Sequence, residues 1–126
     1  IVTVAMSRGI AALIISNTTI ARPALASCYA GEAGGLSGAP LRDMAQQRLV
    51  DFRKASGGQI GLIGVGGIAS AQDAYARIRA GASLVQIYSA LVYQGPGLAR
   101  RINKELQQLL QADGFVNISD AVGVDG

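Results

Sequence analysis

Ile60-Gly61-Leu62-Ile63-Gly64-Val65-Gly66-Gly67 decides the fold. The apolar run Ile60 to Val65 has no polar alternation, which is the pattern of a strand covered on both faces, and it stops at a glycine pair. Downstream, Ser70 has the form of an N-cap for a helix running to about Arg79, with Asp73 in the first turn and Gly81 just past the end. Ser83 to Tyr88 reads as a second apolar strand running into Ser89-Ala90. Past it, Ser89 to Gln94 is long enough for one short helix before Gly95-Pro96-Gly97. Leu98, Ile102, Leu106, Leu109 and Leu110 then mark an amphipathic helix ending near Gly114. The tail to Gly126 shows no strong pattern.

Upstream, Leu41, Met44, Ala45, Leu49 and Phe52 share a helical face, so residues 40–55 form an amphipathic helix with Pro40 in its first turn and Gly57-Gly58 as its stop. A Gly-, Ala-, Ser- and Pro-rich stretch before it reads as a long loop, of a length that often carries function. Ile10 to Ile15 is a further doubly covered strand, ending at Ser16-Asn17-Thr18-Thr19. Ile1 to Arg8 begins as a helix entered partway, without an N-cap, and is expected to continue from a longer chain. Strand, helix, strand, helix, strand, helix is the order of a parallel α/β sheet with right-handed crossovers. Three strands leave long apolar edges uncovered, so a larger parent fold is expected.

Composition bounds the function. Half of the 126 residues are hydrophobic, 15% are charged and 17 are glycine, which requires a packed core. The net charge of +3 is scattered, with no basic tract and no Trp, giving a nucleic-acid surface little support. The six-residue run from Ile10 is far short of the roughly 20 residues that cross a bilayer. No histidine and a single cysteine, Cys28, leave no set of common metal ligands and no internal disulfide, and a reducing, cytoplasmic setting is the default.

In parallel α/β folds ligands collect at the carboxyl ends of strands. Here those ends carry Ser16-Asn17-Thr18, Gly66-Gly67 and Tyr88-Ser89. Glycines there leave no side chain between backbone amides and an incoming group, and the next helix adds free N–H donors, so an anion such as a phosphate fits. Each feature also has a plainer reading: paired glycines are commonly only a tight turn, and Asn and Thr commonly cap or turn the chain. Their recurrence at three successive strand ends favours a site. A (β/α)8 barrel binds phosphate after its seventh and eighth strands with a short extra helix, which places these strands sixth, seventh and eighth.

Ser16-Asn17-Thr18-Thr19, Gly34-Gly35-Leu36-Ser37-Gly38, Ile63-Gly64-Val65-Gly66-Gly67-Ile68 and Ala80-Gly81-Ala82-Ser83-Leu84-Val85-Gln86-Ile87-Tyr88-Ser89-Ala90 follow one another as in the dihydroorotate dehydrogenases, over essentially the whole chain. Asn17-Thr18-Thr19 with Arg22-Pro23 resembles the class 2, quinone-linked branch more than class 1. The resemblance implies the last part of a single FMN-binding (β/α)8 barrel domain spanning residues 1–126, without a second domain. It also implies oxidation of dihydroorotate to orotate in pyrimidine biosynthesis, with a quinone as acceptor.

By position, the resemblance implies flavin contacts at Ser16 and Gly38, with Ser37 a neighbour. It implies substrate contacts at Asn17 and Thr18, and FMN phosphate contacts at Gly67, assisted by Gly66, and at Tyr88 and Ser89. The base, a flavin-contacting lysine and the quinone-facing helices belong to parts of such enzymes not represented here. No catalytic residue is therefore assigned, and Cys28 matches no family base. Peripheral membrane association on the cytoplasmic side is expected of the intact protein, and the 126 residues alone are expected to be inactive. The readings left open are a class 1 enzyme, another phosphate-binding barrel enzyme, and a non-catalytic half barrel that binds a phosphorylated ligand.

Overall fold

The computed structural model describes residues 1–126. Helix α1 (Val2–Ser7) leads to β1 (Ala12–Ile15). A 23-residue excursion follows, leading into a 3-10 turn (Ala39–Leu41) fused to α2 (Arg42–Ser56). Then come β2 (Gly61–Val65), α3 (Ala71–Arg79), β3 (Leu84–Gln86), α4 (Ser89–Gln94), α5 (Leu98–Ala112) and a second 3-10 turn (Ile118–Ala121). The three strands form one parallel sheet in the order β1-β2-β3. This is the α/β arc expected of part of a (β/α)8 barrel.

The element boundaries follow local chemistry. Ser70 caps α3 by accepting from the Asp73 N–H at 3.1 Å, and Asp73 returns an acceptor to the Ala69 N–H at 3.0 Å. Gly57 closes α2 in the left-handed conformation, at φ 55°. Pro40 lies in the 3-10 turn rather than in α2 itself, because its ring fits the first turn of a helix and needs no N–H partner there.

The strands are shorter than their apolar runs, four, five and three residues, since pairing stops where the chain bends toward the next helix. Pairing of β3 is nonetheless announced one residue early by the Ser83 N–H, which donates to Leu62 O at 2.8 Å. The expected double cover is absent on one face of the sheet. Ile14 pairs with Ile63, and Ile63 with Leu84, so the three form a row across the sheet. Ile14 is 55% and Leu84 63% exposed. Alternate residues face the helices, and nothing within these 126 residues covers the opposite side.

Two buried clusters hold the helices. Ala5, Ile15, Leu49, Ile60, Leu62, Ala80 and Ala82 lie between α1, α2 and the sheet. Ile68, Ala71, Ala74, Tyr75, Ile78, Leu98, Ile102, Leu106 and Ala121 lie between α3, α5 and the final 3-10 turn. The tail is thus an ordered part of the core. Asn117 and Asp120 form a reciprocal capping box that turns Ala121 inward.

Candidate functional site

The carboxyl ends of all three strands open into one cleft of about 250 Å³. Ser16, Asn17 and Thr18 line it from the end of β1, Gly66 and Gly67 from the end of β2, and Tyr88 and Ser89 from the start of α4. Gly38 and Ser37 close it from the long excursion. Every residue singled out as a site candidate, Ser16, Asn17, Thr18, Gly38, Gly67, Tyr88 and Ser89, borders this one space. Ser16, Asn17 and Thr18 also border a second cleft beside Met44 and Arg48, so they form the wall between the two. Cys28 is exposed and borders neither.

The excursion reaches the site because its two ends are zipped together. Thr19 and Leu36 exchange backbone hydrogen bonds at 3.2 and 2.7 Å as an isolated antiparallel bridge. Arg22 then gathers carbonyls from both limbs, donating to Ile20 O at 3.2 Å, Glu32 O at 2.9 Å and Gly34 O at 2.6 Å. The bridge returns the chain to the strand ends, where Gly38 adopts φ 76° and the Ser89 hydroxyl donates to Ser37 Oγ at 3.1 Å. Gly35 is pressed against the Thr18 side chain, leaving no room for a Cβ.

Asn17 uses half of its amide locally. Its Oδ1 accepts from the Thr18 N–H at 2.8 Å, which leaves the Nδ2 donors for a bound group. A carbonyl or carboxylate is what such donors match.

The glycine pair also has a packing purpose that was not read in the sequence. A Cβ at Gly67 would lie 2.5 Å from Arg42 Cα, and one at Gly66 would lie 2.9 Å from Leu41 Cδ2. Both also have positive φ, 103° at Gly66 and 72° at Gly67. The missing side chains admit the start of α2, and both glycines border the cleft as well.

The donor set suits an anion bound through neutral groups. The lining contains no Asp, Glu, Lys or Arg, so nothing in the wall repels a phosphate. The N–H groups of Gly67 and Ser89 donate to no protein acceptor, and the hydroxyls of Ser37 and Ser89 are adjacent. Backbone donors and small hydroxyls of this kind bind phosphate without a side-chain cation.

Sequence reasoning left out Gln86, Tyr93 and Gln94, which also line the cleft. Gln86 ends β3 on the row of Val65, its register partner, and a polar residue closing an apolar strand is the signal that marks it. Beside the glycine turn lies a partly buried ion pair that sequence reasoning also missed. Arg42 pairs with Asp73 at 3.1 Å, and the Asp73 side chain is only 12% exposed. Burial by itself would raise the Asp73 carboxyl, but hydrogen bonds from the Ala69 N–H, Ser70 and Arg42 hold it below the ordinary carboxylate value.

Residues 1–110 match the family model described as dihydroorotate dehydrogenase. The chain is 65% identical over 120 residues to the dihydroorotate dehydrogenase (quinone) of Novosphingobium aromaticivorans, covering 95% of this chain and 34% of that protein. It is 64% identical to the protein of the same name from Sphingopyxis alaskensis, covering 98% and 35%. The crystal structure of Eimeria tenella DHODH in complex with ferulenol superposes with a TM-score of 0.95 at 46% identity, over 98% of this chain and 33% of that one. The chain thus spans about a third of the length of the relatives it matches.

Proposed function

The chain belongs to the dihydroorotate dehydrogenase family, and on that footing we propose that it is part of an enzyme oxidising dihydroorotate to orotate in pyrimidine biosynthesis, with FMN as redox cofactor and a quinone as acceptor. The observation that carries this reading is the convergence of Asn17, Gly67 and Ser89 on one cleft whose wall holds no charged side chain. Relatives named as quinone enzymes favour class 2 over class 1.

Orotate forms when one ring C–H of dihydroorotate gives up a proton and its neighbour a hydride. When bound, FMN supplies the two-electron acceptor for that hydride. Residues of this chain hold and orient. The Gly67 N–H, assisted by Gly66, would grip the FMN phosphate together with the Ser89 N–H and the turn at Tyr88. Ser16 and Gly38 would border the flavin, with Ser37 bonded to Ser89 behind them. Asn17 would donate from Nδ2 to a substrate carbonyl or carboxylate while Thr18 anchors its Oδ1.

Fixing both partners in one cleft lowers the orientational cost of the transfer. No residue here is assigned as the base, so these 126 residues would bind and position without turning over by themselves. They would form one part of a single FMN-binding barrel domain. No helix of the chain is long and apolar enough to cross a membrane. Contact with a membrane-borne quinone would fall to another part of the protein, peripherally attached on the cytoplasmic side.

The test is to purify the complete protein and measure dihydroorotate-dependent quinone reduction beside its visible spectrum. Flavin absorbance with turnover is expected. A colourless protein that binds another phosphorylated ligand would replace this reading.

A further inference from the structure

The most unusual charge in the molecule is Arg77, on α3. It is 2% exposed and has no carboxylate partner. Its side chain lies along Gly64, where a Cβ would come within 3.3 Å of Arg77 Cβ and Cδ. Its guanidinium emerges beneath the glycine turn. Nη2 donates to Gly66 O at 2.9 Å and to Arg42 O at 2.7 Å, and Nη1 donates to Gln46 Oε1. Nε is buried with no partner. Asp73 and Asp43 act on the guanidinium through space but neither bonds to it, and burying a charge without a bonded counter-ion is costly.

The hydrogen bond to Gly66 O has a geometric consequence. The peptide joining Gly66 to Gly67 is trans, so its C=O and N–H point in opposite directions. A carbonyl held down toward α3 by Arg77 turns the Gly67 N–H up, away from α2 and α3, on the side where Gly67 borders the cleft. The second bond, to Arg42 O, locks the start of α2 against the same turn. Glycine at both positions would otherwise leave this peptide free to rotate.

The geometry points to Arg77 as the positioning residue of the phosphate site: it aims the Gly67 N–H and sets a guanidinium with no bonded carboxylate behind a cleft whose own wall carries no charge. This inference rests on the reading of the cleft as a phosphate site. It adds that anion affinity depends on a side chain that never touches the ligand.

The experiment uses the complete protein stripped of flavin and titrated with FMN and with riboflavin, which lacks the phosphate. Wild type is expected to prefer FMN. Arg77→Met should lose about tenfold in FMN affinity while riboflavin affinity stays within about twofold, as expected for loss of a charge-assisted hydrogen bond acting only through the phosphate. Arg77→Lys keeps the charge but not the planar fork, so its FMN preference should fall between the two. A folded Arg77→Met protein with the wild-type FMN-to-riboflavin ratio overturns the inference and leaves the phosphate site standing. If the Met variant does not fold, the Lys variant decides alone: a reduced ratio supports the role and an unchanged one overturns it. Equal affinity of wild type for the two flavins would sink the phosphate site itself, and the role of Arg77 with it.

Discussion

The Ser89 hydroxyl donates to Ser37 Oγ across 3.1 Å and 52 residues of chain, joining the turn after β3 to the returning limb of the long excursion. Two walls of the cleft are held together by this bond, and one of its partners also opens α4. Ser89→Ala removes the bond and so loosens the wall that carries the Ser89 N–H toward the proposed phosphate. Flavin affinity of the complete protein should fall by roughly 1 kcal/mol, about fivefold, read by fluorescence titration of the apoprotein. Unchanged affinity would remove the Ser89 side chain from the site.

Asn17 divides its amide between Thr18 and the cleft. Asn17→Ala should raise KM for dihydroorotate or lower kcat, with a combined loss in kcat/KM of roughly 1–3 kcal/mol. Asn17→Asp should be worse, because a carboxylate offers no donor and repels the substrate's own carboxylate. Steady-state kinetics of the two variants decide the matter, and wild-type constants would exclude Asn17 from substrate binding.

Gly67 faces α2 with no room for a methyl group, and its φ of 72° disfavours any side chain. Gly67→Ala should therefore destabilise the flavin-free protein by roughly 1–3 kcal/mol, from backbone strain and overpacking. Denaturant unfolding of the apoprotein measures this. A variant whose apoprotein is as stable as wild type but which loses flavin would instead mean that the added methyl meets the ligand.

Arg79 clamps Asp125 through Nε and Nη2, both at 2.7 Å, and also reaches Asp113 at 2.6 Å, tying the tail to α3. The hydrogen bond from Arg79 holds the Asp125 carboxyl below its ordinary value of 3.8. A carboxyl depressed in the folded state stabilises fully above the unfolded value, and this contribution is lost as pH falls through the folded one. Asp73 behaves alike. Asp125→Asn should therefore lower Tm at neutral pH, and the gap from wild type should close as pH falls below the ordinary carboxylate range. A gap independent of pH would mean that the clamp does not act through charge.

Much of this architecture was legible locally. Ser70 announces α3, Gly57 stops α2, and Ser89 to Gln94 has the extent of α4, because caps and stops act within one turn of chain. Six of the seven candidates follow strand ends, which share one side in a parallel sheet, whereas Gly38 lies in the excursion and was read only from the family resemblance.

The rest depended on distant partners. Arg77 in a helix pattern looks like a solvated charge, and only the space above Gly64 buries it. Arg22 staples a loop through carbonyls whose positions no local pattern reveals. Ile14 and Leu84 look doubly covered because the sequence records a neighbour that these residues do not contain. The Asn117–Asp120 box was a local signal that went unread in the tail.

The central claim is that three successive strand ends serve one bound flavin nucleotide and its substrate. A crystal structure of the complete protein with FMN and orotate tests it most directly. The account predicts phosphate oxygens within hydrogen-bond distance of the Gly67 and Ser89 N–H groups and orotate against Asn17 Nδ2. A phosphate seated away from Gly67 and Ser89, or orotate beyond reach of Asn17, would contradict it.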